Sequence, residues 1–209
     1  WDVPLNIKNP LTCTSMWLNG TPIGDKGAIV FAEAVGSAAL PSLLGLYLDE
    51  NQIGNDGLAA LATAVANGAL PSLTVLDFDN NQIGDAGITA FASALGNGAL
   101  PSLNELYLSS NQIGDTGLTA LATALSNGAL PLLTILSLYG NKFGDAGVTA
   151  LAKVIDPKEG SGALPSLEIF DLGRNRIGDA GLYSLSTALG SGAMASLITL
   201  EVDDGNLNT

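Results

Sequence analysis

The fold is decided by the stretch LPSLLGLYLDENQIG at residues 40–54, because close variants of it return along the chain at a regular distance. The later copies begin at Leu70, Leu100, Leu130 and Leu164. The spacing is therefore 30 residues until the last interval, which is 34 residues. The four extra residues fall in a polar segment at residues 156–161, where a connection tolerates an insertion best. A fixed period of this length indicates an array of stacked structural units.

Two hydrophobic periods alternate within each unit. In Leu46-Tyr47-Leu48 the apolar positions alternate, which places both leucines on one side of a short strand and the tyrosine on the other. Beyond Gly54, the apolar positions recur every three or four residues, which is typical of a helix. A unit of this kind cannot bury its apolar face alone. The units are therefore predicted to stack, with the strands in one parallel sheet inside an arc and the helices outside.

The order of residues within a unit is LxxLxLxxNxI followed by the helical half. The first full copy has Leu43, Leu46, Leu48, Asn51 and Ile53 at these positions. This string resembles the leucine-rich repeat of the ribonuclease-inhibitor-like class, and the resemblance extends over residues 10–209. It implies an α/β fold, a leucine-rich-repeat solenoid shaped as a horseshoe, with a parallel inner β-sheet and outer α-helices.

A single domain is expected over residues 1–209. Its predicted parts are an N-terminal cap segment at residues 1–9, a degenerate first repeat at 10–39, five full repeats at 40–193 and a partial last repeat at 194–209. The last unit has Gly205 in the asparagine position and stops before a helix. Solenoids normally carry polar terminal repeats, so we expect either further chain or another molecule at this end.

Three columns of residues recur because the fold needs them. The asparagines are predicted to point inward and to satisfy turn backbone, at Asn51, Asn81, Asn111, Asn141 and Asn175. A second column is predicted to cap helix N-termini, with Asp25, Asn55, Asp85, Asp115, Asp145 and Asp179. Glycines follow two residues later, where backbone turns or approaches its neighbour closely, at Gly27, Gly57, Gly87, Gly117, Gly147 and Gly181. These columns specify the fold and carry no functional information.

Composition excludes several classes of function. The formal net charge is −13, with 20 acidic and seven basic residues, and nucleic-acid binders need clustered lysine and arginine. The chain has no histidine and only Cys13, so we expect no disulfide, no metal site and no cofactor. No apolar run reaches the roughly 18 residues that span a bilayer. We expect a soluble or peripheral protein without membrane insertion, in the cytoplasm or in an organelle.

The outward-facing strand positions are free of fold requirements, and they are the candidates for binding. They combine rings, which are frequent in the hot spots of interfaces, with carboxylates, which steer basic partners. The predicted partner-binding residues on the concave face are Trp17, Tyr47, Asp77, Tyr107, Tyr139, Asp171, Arg174 and Glu201. The sequence therefore predicts a non-catalytic protein–protein interaction module, with a basic protein favoured as its partner.

Catalysis is not expected. The pair Asp77 and Asp79 matches the two carboxylates of a glycosidase, but it lies on an open strand without a nucleophile or base nearby. An EF-hand reading fails because Ile83 occupies a ligand position. Arg174 would act as an arginine finger if the chain were a GTPase activator, as some relatives are. This reading ranks last, and no catalytic residue is predicted.

The main alternative is a structural role. The ending Gly-Ala-Leu-Pro-Ser-Leu of the units resembles repeats of single-celled algae and oomycetes. This resemblance implies an accessory subunit of a larger complex, for example an algal photosynthetic one, packed through its edges.

Overall fold

The computed structural model describes residues 11–38 and 40–202, in which three-residue strands alternate with helices. The strands are β1 (Ser15–Trp17), β2 (Gly45–Tyr47), β3 (Val75–Asp77), β4 (Glu105–Tyr107), β5 (Ile135–Ser137), β6 (Ile169–Asp171) and β7 (Thr199–Glu201). The helices are α1 (Gly24–Ala38), α2 (Asn55–Ala66), α3 (Asp85–Gly96), α4 (Asp115–Ser126), α5 (Asp145–Ile155) and α6 (Asp179–Gly190). The strand and helix periods in the sequence therefore correspond to the observed elements.

The strands form one parallel sheet in chain order from β1 to β7. Equivalent residues of successive units pair directly, so that Leu46 lies opposite Leu76 and Leu76 opposite Leu106. At the usual strand spacing of about 4.8 Å, the sheet extends roughly 30 Å along the stack. Each helix packs against the next one in the chain. The predicted solenoid, with a parallel inner sheet and outer helices, is confirmed.

The core runs without interruption between the sheet and the helices. Strand leucines such as Leu46 and Leu106 are fully buried, and so are the helix residues Phe31 and Phe91. Phe91 meets the ring of Phe78 edge to face, with 6.4 Å between ring centroids. Burying apolar side chains of this size stabilises the fold by about 1.5–3 kcal/mol each.

The asparagine column is buried and links neighbouring turns, as predicted. The Asn81 side chain accepts hydrogen bonds from Asn51 N at 3.2 Å and Ile53 N at 2.9 Å. Its amide nitrogen donates to the carbonyls of Leu48 and Phe78, both at 2.9 Å. Each inner asparagine thus ties its own turn to the preceding one, because it satisfies backbone groups that water cannot reach.

The acidic column caps helices, but not the helices on which its members lie. The residue immediately before each of the helices α2 to α6 is a glycine. A glycine has no side chain with which to cap its own helix. The Asp85 carboxylate of α3 instead accepts from Gly114 N at 2.6 Å and Gly117 N at 3.0 Å, at the start of α4. The predicted capping of helix N-termini is therefore observed, and each cap joins one repeat to the next.

The four-residue insertion is anchored by Asp156, directly after α5. Although the segment is polar, this side chain is buried and accepts hydrogen bonds from Lys158 N and Ser191 Oγ, each at 2.7 Å. The backbone donor of Lys158 and the hydroxyl of Ser191 lower the pKa of Asp156. The insertion is thus held against the turn that follows α6.

Candidate interaction surface on the concave sheet face

The predicted surface residues lie side by side because the strands are in register. The last residue of each strand faces outward. These residues form a row in which each side chain is next to its equivalent on the neighbouring strand. The row contains Trp17, Tyr47, Asp77, Tyr107, Ser137, Asp171 and Glu201. All of them except Ser137 are predicted binding residues. Pairing of the strands therefore brings six predicted residues from distant parts of the sequence onto one continuous surface. We call this set the concave row.

Two rings form a flat platform at the β1 end of the concave row. Trp17 stacks on Tyr47 with 3.8 Å between ring centroids and an angle of 6° between the planes. Trp17 remains 65% exposed. The Tyr47 ring lies flat across Gly45, where an added Cβ would be 2.9 Å from Tyr47 Cε2. The absence of a side chain at Gly45 therefore permits the platform.

A second tyrosine is held in place at the centre of the sheet. The Tyr107 hydroxyl donates to Glu105 Oε2 at 2.9 Å, across two positions of β4. Burial, together with this hydrogen bond to a carboxylate, raises the pKa of the Tyr107 hydroxyl. Its proton is therefore retained at neutral pH, and the ring is oriented without a partner.

Carboxylates crowd between the two tyrosines. Asp77 Oδ1 accepts from Asp79 N at 2.9 Å, and Asp79 Oδ1 accepts from Ser109 N at 2.5 Å. The pKa of Asp77 is raised to about 6, mainly because the carboxyl group is partly buried. The hydrogen bond from Asp79 N lowers this pKa, whereas the negative charges of Asp79 and Asp49 raise it. Burial likewise raises the pKa of Asp79, although its hydrogen bonds with Ser109 oppose the shift. The centre of the face therefore carries negative charge that its surroundings solvate poorly.

The β6 end of the face differs in charge. The Arg174 guanidinium lies over the Tyr139 ring, 5.6 Å from its centroid. Asp171 Oδ1 accepts a hydrogen bond from Gly173 N at 2.9 Å, the same contact that Asp77 makes with Asp79 N. Glu201 on β7 is exposed. Arg174, Arg176 and Lys142 are all exposed on the turns at this end. The surface thus changes from aromatic and acidic near β1–β4 to mixed charge near β6.

Asp77→Asn is expected to stabilise the protein at pH 7 and to lose that advantage in acid. The folded pKa of about 6 lies above the ordinary value of 3.8, so the native state binds more protons between these pH values. Stability of the wild-type chain therefore falls as pH rises through this window. Because Asp77 is only half-buried, we expect about 1 kcal/mol at pH 7, well under the ~3 kcal/mol of an unscreened shift.

Urea unfolding at pH 4, 5, 6 and 7 measures this effect. The matched control is Glu33→Gln on the outer side of α1, an exposed carboxyl whose replacement should change stability by less than about 0.5 kcal/mol at every pH. An Asp77→Asn variant with no pH-dependent advantage would show that the carboxylate is well solvated in the fold.

Sequence reasoning identified the surface residues but missed two that shape them. The first is Gly45, which lies beneath the platform. The equivalent position on other strands is occupied by larger residues such as Val75 and Ile135. The glycine at this position of the repeat, where later units have larger residues, was visible in the sequence. Glu105 was not among the predicted binding residues, and in the structure it is the acceptor that orients Tyr107.

A metal-binding cluster and a membrane-spanning helix are both absent from the part of the chain that the structure describes. No group of three or more histidine, cysteine, aspartate or glutamate side chains is arranged to hold a metal ion there. No helix among the same residues is both long and apolar enough to cross a membrane.

The repeats match known family models. A model described as two copies of a leucine-rich repeat matches residues 71–122, and a model of a single leucine-rich repeat matches residues 39–62, 129–152 and 163–186. These matches together cover more than half of the chain. The chain belongs to the leucine-rich-repeat proteins. Domains of this family generally mediate protein–protein interactions and are typically non-catalytic.

Individual proteins are less similar. No curated protein matches the sequence. Among solved structures, an internalin (inlF) from Listeria monocytogenes is similar, with 18% identity and a TM-score of 0.35 over 94% of this chain and 84% of that chain.

Proposed function

We propose that the chain is a non-catalytic binding module, a single repeat domain whose concave row holds a basic segment of a partner protein. The observation that carries the proposal is the stacked Trp17–Tyr47 platform, which is preformed and leaves Trp17 65% exposed. An exposed tryptophan stacked in a fixed orientation offers a large apolar area without the entropy cost of ordering it on binding.

The carboxylates next to the platform support a basic partner. Asp77 lies on the strand beside Tyr47, within one strand spacing, and Asp79 follows at the same end of β3. The chain as a whole carries a formal charge of −13. A lysine or arginine of the partner would contact the platform face by a cation–π interaction and would neutralise the raised-pKa carboxylates nearby.

The double variant Trp17→Ala/Tyr47→Ala is expected to weaken partner binding at least about 30-fold, because loss of a central aromatic anchor typically costs 2 kcal/mol or more. The partner is first retained from a lysate on the immobilised wild-type chain, identified and purified. Its affinity for each variant is then measured by calorimetry. Raising the salt concentration from 0.05 to 0.5 M should also weaken binding by the wild-type chain.

Thr63→Ala on the exposed side of α2 is the control, since that residue bonds only within its own helix. It should bind as tightly as the wild type. Equal affinity of the wild type and the double variant for the purified partner would refute use of the concave row.

A further inference from the structure

The outward face of the sheet carries a second line of residues beside the concave row. Each strand has three residues, and the first and the third face outward. The first residues of β3 to β6 lie next to one another in register, in the order Val75, Glu105, Ile135 and Ile169. Ile169 is 38% exposed, and Val75 and Ile135 are partly exposed. We call Val75, Ile135 and Ile169 the aliphatic row.

Glu105 does not interrupt the apolar surface of this line, because a ring covers its position. The Tyr107 hydroxyl donates to Glu105 Oε2 at 2.9 Å, so the tyrosine side chain extends from the concave row back to the first residue of β4. Tyr47 does the same on β2, where its ring lies across Gly45. The line of first residues therefore presents a ring or an aliphatic side chain on each strand from β2 to β6.

The carboxylates lie on the other side of the same face, at the carboxyl ends of the strands. Asp77 and Asp171 are the last residues of β3 and β6, and Asp49 and Asp79 lie two residues beyond Tyr47 and Asp77. The face is thus divided along the length of the array. Aliphatic and aromatic groups line the amino ends of the strands, and acidic groups line the carboxyl ends.

Two chemically different lines side by side match one side of an amphipathic helix that lies along the array. Successive turns of an α-helix are about 5.4 Å apart, and neighbouring strands are about 4.8 Å apart. One helical turn therefore meets one strand. The distance from β3 to β6 is roughly 14 Å by this spacing, which corresponds to about ten helical residues.

An extended partner segment fits this surface less well. Strands β4 and β5 each pair with a neighbour on both sides, so a partner strand cannot add its backbone to the sheet there. An extended segment that crosses above the strands directs only alternate residues toward them. It would contact the aliphatic row or the carboxylates with one line of side chains, whereas a helix reaches both.

We propose, on the basis of the binding function above, that the basic partner segment is an amphipathic α-helix that runs along the array from β3 to β6. Its apolar side covers the aliphatic row and the Tyr107 ring. Lysines or arginines on the adjoining side lie next to Asp77 and Asp79, where opposite charges attract. The partner segment therefore carries apolar residues at every third or fourth position, with basic residues along one flank.

A second copy of this chain is a poor source of such a helix. The helices α1 to α6 contain two basic residues between them, Lys26 and Lys153. Two copies would also each bring a formal charge of −13. Charge therefore favours a different protein as the partner.

The test titrates the full chain with two synthetic peptides of about 18 residues, a length at which an isolated helix is marginally formed. Both contain the same leucines and lysines on an alanine and glutamine background, and both are acetylated and amidated. In the helical peptide the leucines recur at every third or fourth position, and in the alternating peptide at every second position. The helical peptide is expected to shift NMR signals of β3 to β6 in a saturable manner and to gain helical circular dichroism on binding.

The double variant Ile135→Thr/Ile169→Thr is expected to weaken binding of the helical peptide at least about tenfold, because the apolar contact area is lost. Threonine is also β-branched, so the strands are expected to form as in the wild type. Val30→Thr is the matched control, since Val30 is 48% exposed on α1, away from the sheet. It should bind as tightly as the wild type.

The double variant Asp77→Asn/Asp79→Asn should weaken the same interaction at 0.05 M salt by about tenfold. Asparagine retains an oxygen that can accept from Asp79 N and Ser109 N, so the backbone contacts are preserved. Glu33→Gln on α1 is the control for loss of an exposed charge and should leave the affinity unchanged.

The purified partner separates failure of the helix from failure of the binding function. If Trp17→Ala/Tyr47→Ala weakens partner binding and Ile135→Thr/Ile169→Thr does not, the concave row binds the partner but the helix is refuted. Equal or tighter binding of the alternating peptide also refutes it, in favour of an extended segment, as does a helical peptide that shows no saturable binding. If neither double variant changes affinity for the partner, the proposed function fails as well.

Discussion

Replacing Asn81 by alanine is expected to destabilise the protein by about 3–5 kcal/mol, the largest effect of any single polar substitution proposed for this chain. The substitution removes two acceptor contacts, to Asn51 N and Ile53 N, and three donor contacts, to the carbonyls of Leu48, Phe78 and Asp79. The backbone groups left behind are buried, so water cannot replace the lost bonds. A methyl group also leaves a small void.

The free energy of unfolding from urea titration measures this loss. Gln82→Ala, one residue further on, is a matched control because its side chain is exposed, and it should change stability by less than about 0.5 kcal/mol. If Asn81→Ala proved as mild as Gln82→Ala, the asparagine column would not be what joins the turns. Since coupling between repeats is local, unfolding is also expected to lose cooperativity around β2 and β3.

Gly117→Val is expected to destabilise the protein by about 3 kcal/mol, through overpacking and the loss of a helix cap together. The new Cβ would lie 2.8 Å from Asp85 Oδ1 and 3.1 Å from Ile113 Cγ2. Neither neighbour has room to retreat, because Ile113 is buried and Asp85 is held by the two hydrogen bonds that it accepts from α4. The helices α3 and α4 must therefore separate or lose the cap.

Thermal unfolding by circular dichroism provides the measurement, with Gly190→Ala as the comparison. Gly190 ends α6, and a Cβ there would meet nothing within 4 Å. Alanine at this position should leave stability unchanged or raise it by up to about 1 kcal/mol. Two glycines in helices are thus expected to respond with opposite signs. Similar losses at both positions would mean that helix propensity, and not the contact with Asp85, explains the glycine column.

The hydrogen bonds between repeats also explain how the proposed binding face is held in one arrangement. The asparagine column joins the turns beneath the strands, and the acidic column joins the helices behind them. Each strand is therefore fixed relative to the next, which holds the Trp17–Tyr47 platform and the Asp77 carboxylate in position before a partner arrives. A preorganised surface of this kind loses less conformational entropy on binding than a flexible one.

Much of this protein was determined by its sequence alone. The 30-residue period and the change from strand to helix spacing were sufficient to predict the solenoid, its parallel sheet and the inward asparagines. The same alternation predicted which side chains would share the outward face, since parallel strands in register convert a column of the sequence into a row on the sheet.

Other features depended on contacts between units, which no single unit encodes. The acidic column caps the following helix because each helix start lies against the side chain of its predecessor and not against its own. Left-handed backbone is also adopted by Leu70, Leu100, Leu130 and Leu164, with φ between 53° and 60°, although leucine disfavours it. Burial of these side chains offsets the cost. The stacking of Trp17 on Tyr47 and the pKa of Asp77 likewise depend on what lies on the neighbouring strand, and only the tertiary structure decides that.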